Sequence, residues 1–207
     1  MELHQLMAGG KVETSTAKVG PDWLRGDWME TWTGKQFFPF QPTVESVDIL
    51  DIAHALSMTC RYGGHCKQFY SVAQHSVLVA SKAPAHLALR ALLHDAPEAY
   101  TGDLIRPIKK HPEMAAFEWV EQIVERAICA ALDVPFPIMT PEIKRLDNRI
   151  LLDERMQVMS ASGHEWTLSE GEPLGVTIEP WSPETARWKF LNAYEQYRAW
   201  HKLTVDA

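Results

Sequence analysis

Cysteine is scarce in this 207-residue chain, which holds three: Cys60, Cys66 and Cys129. An odd number at no recognised ligand spacing speaks against a disulfide framework and makes a reducing cytoplasm the expected compartment. Long apolar runs are missing too. No stretch approaches the roughly 20 residues needed to span a bilayer, and the first 20 residues contain no run of signal-peptide length, so no membrane partner is expected. Basic charge is in deficit: 20 Lys+Arg stand against 27 Asp+Glu, a net charge of −7. Binding a nucleic acid polymer depends on Lys and Arg neutralising its phosphates. A polymer is therefore a poor partner, whereas a small phosphorylated molecule needs only a few well-placed cations.

What is present is helical periodicity. Residues 47–59 set Ile49, Ile52, Ala53 and Leu56 on one stripe. Residues 71–82 and 85–96 read as two more apolar helices separated by Pro84. Residues 112–132 form an amphipathic helix with Phe117, Val120, Val124, Ala127, Ile128 and Ala131 on one face, opening on Pro112. Thr140-Pro141-Glu142 starts another, expected to run to about residue 160, and Ser182-Pro183-Glu184 starts the last. Between them, 165–168 and 176–181 are β-like runs that predict a short hairpin near 165–180 or an irregular arm. A front segment at 21–46 is aromatic, with Trp23, Trp28, Trp32, Phe37, Phe38 and Phe40, and reads as a packed arm or a subunit contact in preference to a substrate lid. The expected fold is all-α, with about six main helices and an irregular aromatic N-terminal arm. Residues 1–20 are expected to be weakly ordered and 21–207 to form one domain.

Three helices each carry a metal-ligand type of side chain where an apolar one belongs. His94-Asp95 ends the apolar run ALRALLHD, and burying such a pair is costly unless something satisfies it. His75 has Val72, Leu78 and Val79 at −3, +3 and +4, so it faces the core. Asp147 has Ile143, Ile150 and Leu151 at −4, +3 and +4, so its carboxylate points the same way. A divalent cation would satisfy imidazole nitrogen and carboxylate oxygen together. Asp153 flanks that stripe and is expected to be solvated. Pro97 should kink or end the helix between Asp95 and Glu98.

The order His75, His94-Asp95, Asp147 resembles the HD superfamily of metal-dependent phosphohydrolases. RYGGHCKQFYSVAQHS at 61–76 and LLHDAPEAYTGDLIRPIKK at 92–110 are similar to the bacterial 5′-deoxynucleotidase branch and to phage enzymes that strip triphosphate from deoxynucleoside triphosphates. The likeness covers a motif core of about 47–160 and implies an HD-domain helical bundle. It implies that His75, His94, Asp95 and Asp147 bind one divalent ion (Zn, Mn, Fe, Co, Ni or Mg). It also implies catalytic roles for Glu98 and Asp103, and substrate contacts from Arg61, Tyr62 and Lys109, the tyrosine stacking on a base. Arg106 and Lys110 are weaker candidates of the same kind, and His65 is expected to be a hydrogen-bonded loop residue. A nucleotide is the implied substrate, and a homodimer the implied assembly. Hydrolysis of another phosphoester remains open, since a fold does not fix a substrate, and so does a non-catalytic nucleotide-binding module. The intact Glu98 and Asp103 weigh against the latter.

Overall fold

A computed structural model of the protein describes residues 25–164, 166 and 171–205. Residues 1–20 and Trp23 therefore lie outside the described part, as does most of the 165–168 run. The architecture is all-α. Six helices of nine residues or more stand out among the described residues: α1 (Ile49–Met58), α2 (Val72–Ser81), α3 (Ala85–Leu93), α6 (Ala115–Leu132), α7 (Pro141–Gln157) and α8 (Pro183–Val205). Two single-turn helices, α4 (Glu98–Thr101) and α5 (Arg106–Lys109), join α3 to α6.

The helix starts follow local chemistry. Asp48 caps α1 by accepting from the Leu50 N–H at 2.9 Å. Ser71 caps α2 through Gln74, and Thr140 caps α7 through Ile143 ahead of Pro141, as its sequence predicts. Helices α1, α2 and α3 form the centre, and α8 lies against all three. Phe190 and Ala186 of α8 are fully buried there with Ile52, Leu56, Leu92 and Leu93. Helix α7 closes the side of α2 and α3.

The aromatic front segment does pack. Met29–Glu30 pairs antiparallel with Gln36–Phe37, the one sheet among the described residues. Phe37 is fully buried and stacks on Tyr100, with ring centroids 3.9 Å apart. Thr33 donates its N–H and hydroxyl to Asp51 of α1, at 2.7 and 2.8 Å.

Residues 171–181 form no strand, so of the hairpin and the irregular arm expected near 165–180 the described part takes the irregular form. The β-like alternation is real: Leu174, Val176 and Ile178 are buried while Gly175 and Thr177 are exposed. The backbone partners, however, are side chains. Asp153 accepts from the N–H groups of Leu174, Gly175 and Val176, the first at 2.6 Å. Gln157 accepts from Ile178 and donates to the Val176 carbonyl. Gln74 donates to the Glu179 carbonyl and accepts from Trp181. Asp153, expected in solvent, is thus buried, and it carries the hydrogen-bonding load that a neighbouring strand would otherwise take.

Candidate active site

Each central side chain arrives from a different element. His75 sits in mid-α2, and Asp147 and Glu154 sit two turns apart on one face of α7. His94 and Asp95 occupy a tight turn between α3 and α4. Helix α3 ends at Leu93, four residues before Pro97, where a continuing helix would drive the proline ring into the Leu93 carbonyl. The chain turns through three-residue bonds instead: Ala96 N–H to Leu93 at 2.9 Å and Glu98 N–H to Asp95 at 3.0 Å. The break predicted at Pro97 thus lies just ahead of the His-Asp pair and brings Glu98 inward, buried at the start of α4.

Four of the sequence-predicted groups converge. The Nε2 atoms of His75 and His94 face each other at 3.3 Å. An Asp95 oxygen lies 3.5 Å from His75 Nε2 and 3.2 Å from His94 Nε2. Asp147 Oδ1 lies 3.4 Å from the first and 3.9 Å from the second, while its Oδ2 accepts from Lys144 at 2.6 Å. His75, His94 and Asp95 offer donor atoms within 4.8 Å of one another.

The outer ring nitrogens are already engaged. His94 Nδ1 is 2.7 Å from the Ala91 carbonyl oxygen, which can only accept, so this nitrogen carries a proton. His75 Nδ1 is 2.6 Å from Glu154 Oε1. Two imidazoles protonated at Nδ1 would aim both Nε2 lone pairs at one point. That donor set, with carboxylate oxygens beside it, fits a divalent cation. Burial and Arg61 push the His75 pKa down, but Glu154 and Asp147 carry it up to about 9. Burial also raises Asp95, yet His94, His75 and Arg61 hold it below the usual carboxylate range. Asp147 is likewise held low against burial, by its hydrogen bond to His75 and by the charges of His94, His75 and Lys144.

Arg61 is buried at the rim, its guanidinium 3.4 Å from Asp95 and 3.4 Å from Glu154. Lys109 is 3.5 Å from Glu98 and 2.6 Å from Glu121 of α6. Glu98 Oε2 is buried without a hydrogen-bond partner. Burial, then the neighbouring Asp95 and Asp103, push the Glu98 carboxyl well above its ordinary range. Asp103 is half-buried just past α4 and is raised by burial. Tyr62 has a left-handed backbone (φ 57°), its hydroxyl donates to Glu154, and its ring lies 5.8 Å from that of Trp166. The weaker candidates stand apart from these contacts: Lys110 pairs with Glu118 at 2.9 Å, and His65 is an exposed loop residue.

The family model described as 5′-deoxynucleotidase YfbR-like matches residues 60–148. The chain is 32% identical to the uncharacterized protein YfdR of Escherichia coli over 169 residues, 81% of this chain and 93% of that one. The chain belongs to the YfbR-like family of the HD superfamily. It is also 40% identical to an uncharacterized Rhodobacter capsulatus protein, RCAP_rcc00048, over 95 residues, 42% of this chain and 48% of that one. Membership in the YfbR-like family makes this an HD-type nucleotide phosphohydrolase at the level of the family. The matched stretch holds every sequence-predicted site residue from Arg61 to Asp147 and stops short of Glu154. Sequence reading passed over Glu154, although its signal was present: it lies seven residues after Asp147 and four after Ile150, on the same stripe.

Proposed function

We propose that the protein is a metal-dependent phosphohydrolase acting on deoxynucleotides, cleaving either a 5′-monophosphate to nucleoside and phosphate or a triphosphate to nucleoside and triphosphate. The observation that carries this reading is the pair of buried imidazoles facing at 3.3 Å, with Asp95 and Asp147 oxygens within 3.9 Å of their Nε2 atoms. His75, His94, Asp95 and Asp147 would hold the ion. When bound, a divalent cation supplies Lewis-acid polarisation of a phosphoryl oxygen and acidifies water.

The protein's own groups do the rest. Glu98, buried with one oxygen unpaired, orients the attacking water and takes its proton. Asp103 assists from the other end of α4 or protonates the leaving oxygen; burial raises both carboxyls above their ordinary range. Arg61 and Lys109 offset the negative charge that a phosphate adds to a site already rich in carboxylates, the arginine with its planar fork and the lysine as a point charge. The Tyr62 ring offers a face to the base.

The test is a substrate screen on metal-reconstituted protein, with release of phosphate, pyrophosphate and triphosphate read separately. Turnover of a deoxynucleotide with any of Mn, Co, Ni, Zn, Fe or Mg is expected. Turnover only of other phosphoesters would move the substrate class. Nucleotide binding with no turnover on any of them would favour a non-catalytic module and overturn the proposal.

A further inference from the structure

Glu154 is a fully buried carboxylate, and no part of the mechanism above uses it. Burying a lone carboxylate is strongly unfavourable unless donors satisfy it. Four side chains do so, all from outside its own helix. Oε1 accepts from Tyr70 at 2.9 Å and lies 2.6 Å from His75 Nδ1. Oε2 accepts from the Tyr62 hydroxyl and from Arg61 Nη2 at 3.4 Å. One oxygen thus serves a ring of the metal cluster and the other serves the loop assigned to substrate.

We propose that Glu154 is the positioning residue of this site. Through Oε1 it keeps the His75 proton on Nδ1, so that the Nε2 lone pair faces His94, Asp95 and Asp147. Through Oε2 it holds Arg61 and Tyr62 at the rim. The inference rests on the metal-site reading above.

Two features separate this role from that of a buried ion pair serving the fold alone. His94 fixes its tautomer with a neutral carbonyl, that of Ala91 at 2.7 Å, whereas His75 faces a full charge. A carboxylate behind an imidazole raises its basicity as a ligand as well as orienting the ring. Tyr62 also departs from ordinary backbone geometry: it and Gly63 have φ of 57° and 59°. A tyrosine adopts that conformation at a cost, which its surroundings must offset. The hydroxyl bond to Glu154, beside that of Arg61, ties this turn to α7.

Glu154→Gln keeps the shape and removes the charge. An amide cannot accept on both sides: with its oxygen toward His75 its NH2 meets the Arg61 guanidinium, which can only donate, and when flipped it opposes the Nδ1 proton. Zinc affinity, measured by calorimetry on the full chain, is expected to weaken 10–100-fold relative to wild type. KM for the substrate found in the screen is expected to rise. Tyr62→Phe releases only the rim and should raise KM with zinc affinity unchanged. Should Glu154→Gln fail to fold, nitrogen-15 NMR of the wild-type zinc complex reads the same property directly, and His75 is expected to carry its proton on Nδ1. Unchanged zinc binding in a folded Glu154→Gln, or a His75 proton on Nε2 in wild type, would overturn the role of Glu154 and leave the metal site standing. Failure of wild type itself to bind zinc would overturn both.

Discussion

Asp147 stands on a stripe otherwise made of Ile143, Ile150 and Leu151, with its side chain largely shielded from water. Periodicity alone turns it inward, as it does His75, because both depend only on neighbours three and four residues away. Asp147→Ala is expected to abolish metal binding, measured by calorimetry. Glu98→Gln is expected to retain metal and lose turnover by about 10²–10⁴-fold, the usual weight of a general acid–base group. An Asp147→Ala protein that binds metal like wild type would remove it from the ligand set. Glu154 shares that inward stripe, but its partners were not legible in the same way. It follows Asp153 in a helix end rich in charge, and its partners Arg61, Tyr62, Tyr70 and His75 lie 79 to 93 residues earlier in the chain. Short-range spacing cannot report contacts made by tertiary folding.

At the scale of elements, helices were legible from periodicity and capping, and the irregular stretches only in part. The Thr140-Pro141 start of α7 follows from its own residues. Its end comes at Gln157, short of the expected residue 160. The segment 174–178 alternates as a strand does, because it buries alternate side chains, but alternation does not reveal what its backbone bonds to. Asp153→Ala leaves the N–H groups of Leu174, Gly175 and Val176 without their acceptor. A loss of about 3 kcal/mol is expected, since a charged acceptor of several buried donors is removed, read as a lower urea midpoint. A midpoint within error of wild type would mean that another group takes over these amides. Phe37 gives the front segment its anchor. Phe37→Ala is expected to cost about 3–5 kcal/mol for a buried aromatic, visible as a lower Tm. Turnover should fall with it, because Tyr100, the stacking partner, shares the single-turn helix α4 with Glu98, two residues on.

At the scale of the molecule, the core is closed by its last described helix. Helix α8 packs against α1, α2 and α3 and buries Ala186, Phe190, Ala193 and Tyr194. Truncation after Ser182 is expected to abolish cooperative thermal unfolding, since the apolar faces of three helices then meet water; calorimetry of the truncated chain checks this, and a sharp transition would show that the remainder folds alone. The sequence predicts α8 as a helix with Phe190 and Tyr194 on one face, but not which helices it covers, because that choice depends on distant packing. The same arrangement bears on biogenesis. Translation proceeds at about 5–20 residues per second, so the apolar sides of α1–α3 stand uncovered for roughly 5–20 s on the ribosome before α8 is even synthesised. If the truncated chain fails to fold, as expected, the packed core of α1–α3 is completed only once α8 is available to cover it.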